Sequence, residues 1–175
     1  MQRRQFLLRS GALSAGLMLG TGLQAAVRQP VQAPLGELRQ PASAWRTQVS
    51  PAAWRVLFEE DTERPHSSPL NHEKRAGTYV CAACFLPLFS SAHKYDSGTG
   101  WPSFWQALPD VLGTREDRRF FMVRTEYHCR RCGGHQGHVF NDGPPPTGRR
   151  YCNNGLALRF VPAGSPLPAL RGGVS

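Results

Sequence analysis

Apolar and polar positions alternate most clearly toward the end of the chain. Cys152 to Val161 places Leu156, Leu158 and Phe160 on one face and Ala157 and Arg159 on the other, the period of a half-buried strand. Phe120 to Cys129 repeats the pattern with Phe121, Val123, Thr125 and Tyr127 on one face, and Thr78 to Cys81 has the β-branched and aromatic content of a third strand. One stretch reads as helix. Ser50 is a good N-cap, Pro51 suits the first helical position, and Trp54, Leu57 and Phe58 follow before the acidic group Glu59, Glu60, Asp61 and Glu63. Arg64 to Asn71, with its proline and histidine, reads as an extended connection, and no repeat or heptad is found. The pattern predicts an all-β or β-dominated fold with one or two short helices near its start.

Ahead of this lies a different kind of segment. Arg3 and Arg4 precede an apolar stretch running through Leu13, Leu17, Met18 and Leu19 to Ala26, with small residues at Ala25 and Ala26 suited to cleavage. Arg3-Arg4-x-Phe-Leu resembles a twin-arginine signal, whose pathway exports folded proteins. The expectation is a signal peptide over 1–26 and an exported, periplasmic protein, with uncleaved anchoring as the alternative. Arg9 and the Gly-rich, weakly apolar continuation argue against a bilayer span, so no stable membrane insertion is expected. Residues 27–44, rich in Pro, Gln and Ala without an apolar period, read as a linker. The folded domain is expected over 45–162, followed by a flexible tail over 163–175.

A chain of 175 residues holds one ordinary domain and excludes a multi-domain assembly. Lysine and arginine outnumber aspartate and glutamate 21 to 12, and this net charge of +9 first suggests an anionic partner. Cleavage near Ala25 would remove Arg3, Arg4 and Arg9 and leave +6, so a third of the surplus belongs to the export segment. The 18 glycines and 15 prolines point to a turn-rich domain.

The five cysteines divide as four and one. Cys81-Ala-Ala-Cys84 and Cys129-Arg-Arg-Cys132 are two C-x-x-C turns, each able to aim two thiolates at one ion, and together they predict a tetrahedral structural zinc site. Gly133 and Gly134 suit the tight backbone there. The alternatives are a pair of disulfides, allowed in an oxidising compartment, or a thioredoxin-like redox pair, for which no βαβ pattern is present. A closed all-thiolate site leaves no open position for water, so zinc hydrolysis is not expected.

Cys152 stands apart, in Arg149-Arg150-Tyr151-Cys152-Asn153-Asn154-Gly155. Fixed positive charge beside a thiol favours the thiolate, which predicts a lowered pKa and a reactive cysteine. His135 and His138 can hold or supply a proton near neutral pH, and cysteine with histidine is a minimal nucleophile and acid–base set. A buried structural thiol and hydrogen-bonded core histidines are the alternatives. In Ser97-Gly98-Thr99-Gly100-Trp101-Pro102-Ser103-Phe104, the glycines permit an unusual path around Thr99, and Trp101 and Phe104 form either an apolar wall or part of the core.

Taken in order, Thr62-Glu63-Arg64-Pro65, Tyr79-x-Cys81-x-x-Cys84 with Pro87-Leu88-Phe89, Ser97 to Phe104, Cys129-x-x-Cys132-Gly133-Gly134-His135-x-Gly137-His138-Val139-Phe140-x-Asp142-Gly143-Pro144 and Arg150-Tyr151-Cys152 resemble the B-type methionine-R-sulfoxide reductases. The resemblance covers about Trp45 to Pro162. It implies two antiparallel β-sheets with zinc remote from the active site. Cys152 would attack the sulfoxide sulfur and become a sulfenic acid, Trp101 and Phe104 would bind the substrate, and His135 and His138 would bond and protonate the sulfoxide oxygen. Asn154 and Arg150 match positions that order the site. Many family members carry a resolving cysteine where this chain has Thr99, which implies an external thiol reductant, thioredoxin-like or other. Asn153 and Gly155 also depart from the family, which has an apolar residue and usually serine there. The expected substrate is methionine-R-sulfoxide in proteins or peptides, and a monomer is expected. Two competing readings are a zinc-ribbon nucleic-acid-binding module, suggested by Arg130, Arg131, Arg149 and Arg150, and a non-catalytic sulfoxide-binding relative.

Overall fold

The computed structural model describes residues 38, 40–119 and 122–172. The expected signal peptide over 1–26, the expected linker up to residue 37, and Phe120 and Phe121 lie outside these residues.

A 3-10 turn at Ala42–Trp45 leads to helix α1, Pro51–Glu59. The cap read from sequence is in place: Ser50 Oγ accepts from the Ala53 N–H at 3.2 Å, and Pro51 begins the helix without wasting a donor. The helix stops at Glu60, which takes a left-handed conformation with φ of 57°. Its inner face carries Ala53, Trp54, Val56 and Leu57, and the indole of Trp54 donates to the Ala42 carbonyl at 2.9 Å. Arg64 to Asn71 is not wholly extended, because Pro69–His72 forms a 3-10 turn capped by Ser68.

Among the described residues nine strands follow: β1 Gly77–Cys81, β2 Pro87–Ser90, β3 Lys94–Tyr95, β4 Ser103–Phe104, β5 Leu112–Asp117, β6 Arg124–Cys129, β7 His135–Phe140, β8 Arg150–Asn153 and β9 Leu158–Pro162. They form two antiparallel sheets, a three-stranded one in the order β2-β1-β9 and a six-stranded one in the order β3-β4-β8-β7-β6-β5. This is the all-β, two-sheet fold expected. Buried aromatics join the sheets: Phe89 of β2 stacks on Phe104 of β4 with ring centroids 4.2 Å apart and meets Tyr127 of β6 edge-on at 6.2 Å, and Tyr79 of β1 meets Phe104 edge-on at 4.9 Å.

Two strand expectations need correction. Cys152 to Val161 is not one strand. It is β8 in the larger sheet, a 3-10 turn at Gly155–Ala157, and β9 in the smaller, so the chain crosses between sheets here. The crossing is fixed by Glu63, whose carboxylate accepts from the N–H groups of Gly155 and, at 2.9 Å, Leu156. Leu156 is consequently exposed, off the apolar face on which the alternation placed it. The strand expected over 120–129 begins at Arg124, and Val123 and Thr125 are exposed while Tyr127 is buried. Beyond β9, in the segment expected as a tail, Arg171 lies on the first cysteine turn. Its N–H donates to the Cys84 carbonyl at 3.0 Å and its guanidinium lies 3.9 Å from the Phe85 ring centroid.

Candidate active site and metal centre

The two C-x-x-C turns are built alike. In the first, the Phe85 N–H donates to the Cys81 carbonyl (3.0 Å) and the Cys81 N–H to the Leu86 carbonyl (2.8 Å). In the second, the Gly133 N–H donates to the Cys129 carbonyl (2.8 Å) and the Cys129 N–H to the Gly134 carbonyl (2.9 Å). The residue after each second cysteine is left-handed, φ 63° at Phe85 and 72° at Gly133. Glycine takes that conformation without penalty, and Phe85 takes it with its ring held under Arg171. Gly134 has another reason to be glycine, since a Cβ there would come within 2.9 Å of Leu57 on α1.

The four sulfurs converge in a buried cluster, all within 4.8 Å of one another. Cys81 and Cys132 Sγ are 3.7 Å apart and Cys84 and Cys129 Sγ 3.5 Å apart, too far for disulfides, whose bonds are about 2.0 Å. A tetrahedron with metal–sulfur bonds of about 2.3 Å has edges of roughly 3.8 Å, so the donor set fits a metal. Burial makes ionising four thiols side by side costly, and a divalent ion held among them would offset that cost.

Cys152 lies within β8, opposite Ser103 of β4 on one side and His138 of β7 on the other. It opens onto a cavity of about 120 Å³ lined also by Thr62, Trp101, Arg124, His138, Phe140 and Asn154. Gly137 allows β7 and β8 to close up behind it, because a Cβ there would lie 1.9 Å from the Cys152 carbonyl. Trp101 is held at the rim by its indole N–H, which donates to the Glu63 carbonyl at 3.1 Å. Asn154 is tied on both sides: its Nδ2 donates to the Gln136 carbonyl (3.2 Å) and its Oδ1 accepts from the Glu63 N–H (3.1 Å).

The expectation of a lowered thiol pKa is not met. Burial pushes the Cys152 thiol up, and the hydrogen bond from Thr99 and the Arg150 charge offset it only in part. Arg150 is shared, since it also forms a bidentate pair with Asp142 at 2.9 and 2.8 Å and lies over the Phe140 ring. Arg149 is exposed and reaches the Tyr151 hydroxyl at 3.4 Å.

His138 faces the cavity and its Nε2 bonds Asp117 Oδ2 at 2.8 Å, while Asp117 also takes Arg124 at 2.7 Å. Burial lowers the His138 pKa, with the bond to Asp117 opposing, which favours neutral imidazole in the free protein. His135 is not among the residues lining the cavity. It is buried behind His138, rings 5.5 Å apart, with Nδ1 on Glu126 Oε1 at 2.7 Å. Glu126 also takes His128 at 3.2 Å and Arg115 at 3.1 Å. Burial raises its pKa, but the bonds from His128 and His135 and the Arg115 charge outweigh this and hold it at about 2.

Phe104 also requires correction as a substrate-binding residue. It is fully buried between Phe89 and Tyr79 and does not line the cavity, because the two-residue β4 turns alternate side chains to opposite faces. Asn153 is buried away from bulk solvent at the cavity wall, and its side chain is tied inward. Its Oδ1 accepts from the Tyr127 hydroxyl at 2.8 Å and its Nδ2 donates to the Asn154 carbonyl at 2.8 Å, which explains a polar residue at a buried position. Gly155 is explained by Ser68, whose Oγ would lie 1.9 Å from a Cβ there. Thr62 and Phe140, quoted from sequence only as motif positions, and Arg124 line the cavity, while Asp117, in a charged run, and Glu126, in an alternating strand, give no sign in the sequence of their partners.

Residues 49–162 match the SelR domain family. The chain is 52% identical over 119 residues to a peptide methionine sulfoxide reductase MsrB of Thiobacillus denitrificans, covering 67% of this chain and 90% of that protein. It is 50% identical over 117 residues to the MsrB of Methanosarcina barkeri (66% and 82% covered) and 47% identical over 125 residues to that of Leptospira interrogans (71% and 95%).

Proposed function

Since the chain belongs to the SelR-domain family of peptide methionine sulfoxide reductases, we propose that it reduces methionine-R-sulfoxide in proteins or peptides to methionine. The observation that carries this reading is the pairing of Cys152 with His138 across β7 and β8, at a small cavity walled by Trp101.

The substrate methyl group rests against Trp101, and the sulfoxide oxygen lies toward His138. The Cys152 thiolate bonds to the sulfoxide sulfur while His138 passes a proton, taken from the Cys152 thiol, to the oxygen; the hydroxyl then moves to the cysteine sulfur as the new sulfur–sulfur bond and the original sulfur–oxygen bond break, since an unprotonated sulfoxide oxygen is a poor leaving group. Methionine sulfur gains two electrons and Cys152 loses two, ending as a sulfenic acid that carries the oxygen. His135 orients His138 from behind, with its own ring fixed by Glu126. Asn154 and Arg150 hold the backbone on either side of the nucleophile. Four of the five cysteines gather in the knuckle cluster, so an external thiol, thioredoxin-like or other, condenses with the sulfenic acid, releases water and leaves a mixed disulfide that a second thiol opens.

Zinc is the metal that best suits four thiolates at these separations, and Cys81, Cys84, Cys129 and Cys132 would hold it as a structural crosslink with no role in the reaction. The sequence supports export through a twin-arginine signal over 1–26 and action in the periplasm, and the enzyme is proposed to act as a monomer. Among the described residues, no helix is long and apolar enough to cross a membrane. The nucleic-acid alternative is not favoured by the family.

Purified protein supplied with a simple dithiol should reduce the R epimer in a peptide and leave the S epimer. Turnover of both epimers alike, or of neither, contradicts the assignment.

A further inference from the structure

The loop carrying Thr99 supplies Cys152 with more than a neighbour. Thr99 Oγ1 is 3.9 Å from Cys152 Sγ, Ser97 Oγ is 2.8 Å from Thr99 Oγ1 and 2.7 Å from Ser103 Oγ, and Ser103 Oγ is 3.1 Å from the Trp101 carbonyl. Ser103 is buried and is the β4 register partner of Cys152. Gly98 and Gly100, with φ of 71° and 92°, bend the loop so that Thr99 faces the sulfur.

Counting protons gives this row of hydroxyls a direction. Each hydroxyl has one proton to donate and lone pairs to accept with, and the Trp101 carbonyl only accepts. When Ser103 donates to that carbonyl, Ser97 must donate to Ser103 and Thr99 to Ser97. Thr99 then offers Cys152 only a lone pair, which matches a protonated thiol. A thiolate requires the reverse: Thr99 donates to sulfur, Ser97 to Thr99 and Ser103 to Ser97, and the Trp101 carbonyl gives up its donor.

We propose that Thr99, Ser97 and Ser103 form a reversible hydroxyl chain in which Thr99 acts as a catalytic residue, donating to the Cys152 thiolate while Ser97 and Ser103 position it. The proposal deepens the reductase reading and rests on Cys152 as the nucleophile. The threonine at the resolving position thereby holds the thiolate without capturing the sulfenic acid, so the oxidised sulfur waits for an external thiol. The chain also couples ionisation of Cys152 to the backbone of Trp101, the residue that walls the pocket. The other titratable or charged groups around Cys152 are Arg150 with Asp142, Tyr95, Tyr127, His138 with Asp117, and Arg124. None of these is removed by substitution at Thr99.

The test is the pH dependence of Cys152 alkylation by iodoacetamide in the full chain, without sulfoxide or reductant, read on the Cys152 peptide by mass spectrometry. Thr99→Val keeps the shape and removes the hydroxyl, and should slow alkylation at pH 7 about tenfold and move the midpoint up by about one unit. Thr99→Ser should stay within about twofold of wild type, the spread of an ordinary hydroxyl exchange. Ser97→Ala should shift in the same direction as Thr99→Val, by less. An unchanged profile for Thr99→Val, or a Thr99→Ser profile displaced as far, overturns the proposal. If Thr99→Val does not fold, Ser97→Ala decides, and an unshifted profile there overturns it. Because alkylation needs no sulfoxide, a chain with these shifts that fails to turn over the R epimer refutes the reductase reading and leaves the hydroxyl chain standing.

Discussion

Cys129 ends β6 and Cys152 sits within β8 of the same six-stranded sheet, yet the two sulfurs meet opposite surroundings. Cys129 is buried with three other thiols, and its nearest sulfur is 3.5 Å away. Cys152 is half-buried, with the Thr99 hydroxyl 3.9 Å from its sulfur and His138 its register partner on β7. Burial raises the cost of ionisation at both. What differs is the means of offsetting it. At the knuckles nothing but a cation can bring four thiolates together, so the sulfurs become scaffold. At Cys152 one hydroxyl and an arginine shared with Asp142 offset the cost only in part, so the sulfur stays a thiol that becomes a thiolate on demand. Reactivity here comes from placement beside a proton donor and not from a strongly lowered pKa.

The largest expected effect lies on the scaffold side. Replacing Cys81 or Cys129 by serine should release the metal and unfold the domain, because metal binding by such knuckles is folding free energy on the order of 10 kcal/mol. Metal content and thermal unfolding check this together. A variant that keeps its fold without metal would erase the distinction drawn between the two regions.

A smaller effect sharpens the reactive side. Glu126 anchors His135 behind the cavity, and its pKa is held at about 2 against 4.5 for a free carboxyl. Its contribution is complete above about pH 4.5 and is lost as the pH falls through about 2. Glu126→Gln should therefore cost about 1–3 kcal/mol at neutral pH, with the gap to wild type closing between those two values. Denaturant midpoints at pH 7 and pH 3 measure it, and a gap that stays constant would remove Glu126 from the support of His135.

How much of this could be read from the chain differs between the same two regions. The knuckles were legible because their ligands are local pairs at fixed spacing, and the Ser50-Pro51 cap marked the start of the helix to the residue. The site at Cys152 was legible as a set of types, and the resemblance supplied the roles. Three things were hidden. The break after Asn153 was invisible because Glu63, far off in sequence, makes the turn. Phe104 looked like its neighbour Trp101, but Phe104 lies in β4 and packs between Phe89 and Tyr79, while Trp101 precedes the strand and lines the cavity. Arg150 suggested a depressed thiol pKa, but its partner Asp142 arrives through the fold. Asn153 and Gly155, unexplained as sequence, are each answered by one contact, with Tyr127 and Ser68.

The division of the cysteines can be tested in a single turnover. The full chain is mixed with methionine-R-sulfoxide in a peptide, without reductant, and each cysteine is read by mass spectrometry after trapping sulfenic acid with dimedone. The account predicts one label, on Cys152, with Cys81, Cys84, Cys129 and Cys132 unmodified and the metal retained. A disulfide joining Cys152 to any of them, or oxidation of the knuckle cysteines with Cys152 left as a thiol, would contradict it.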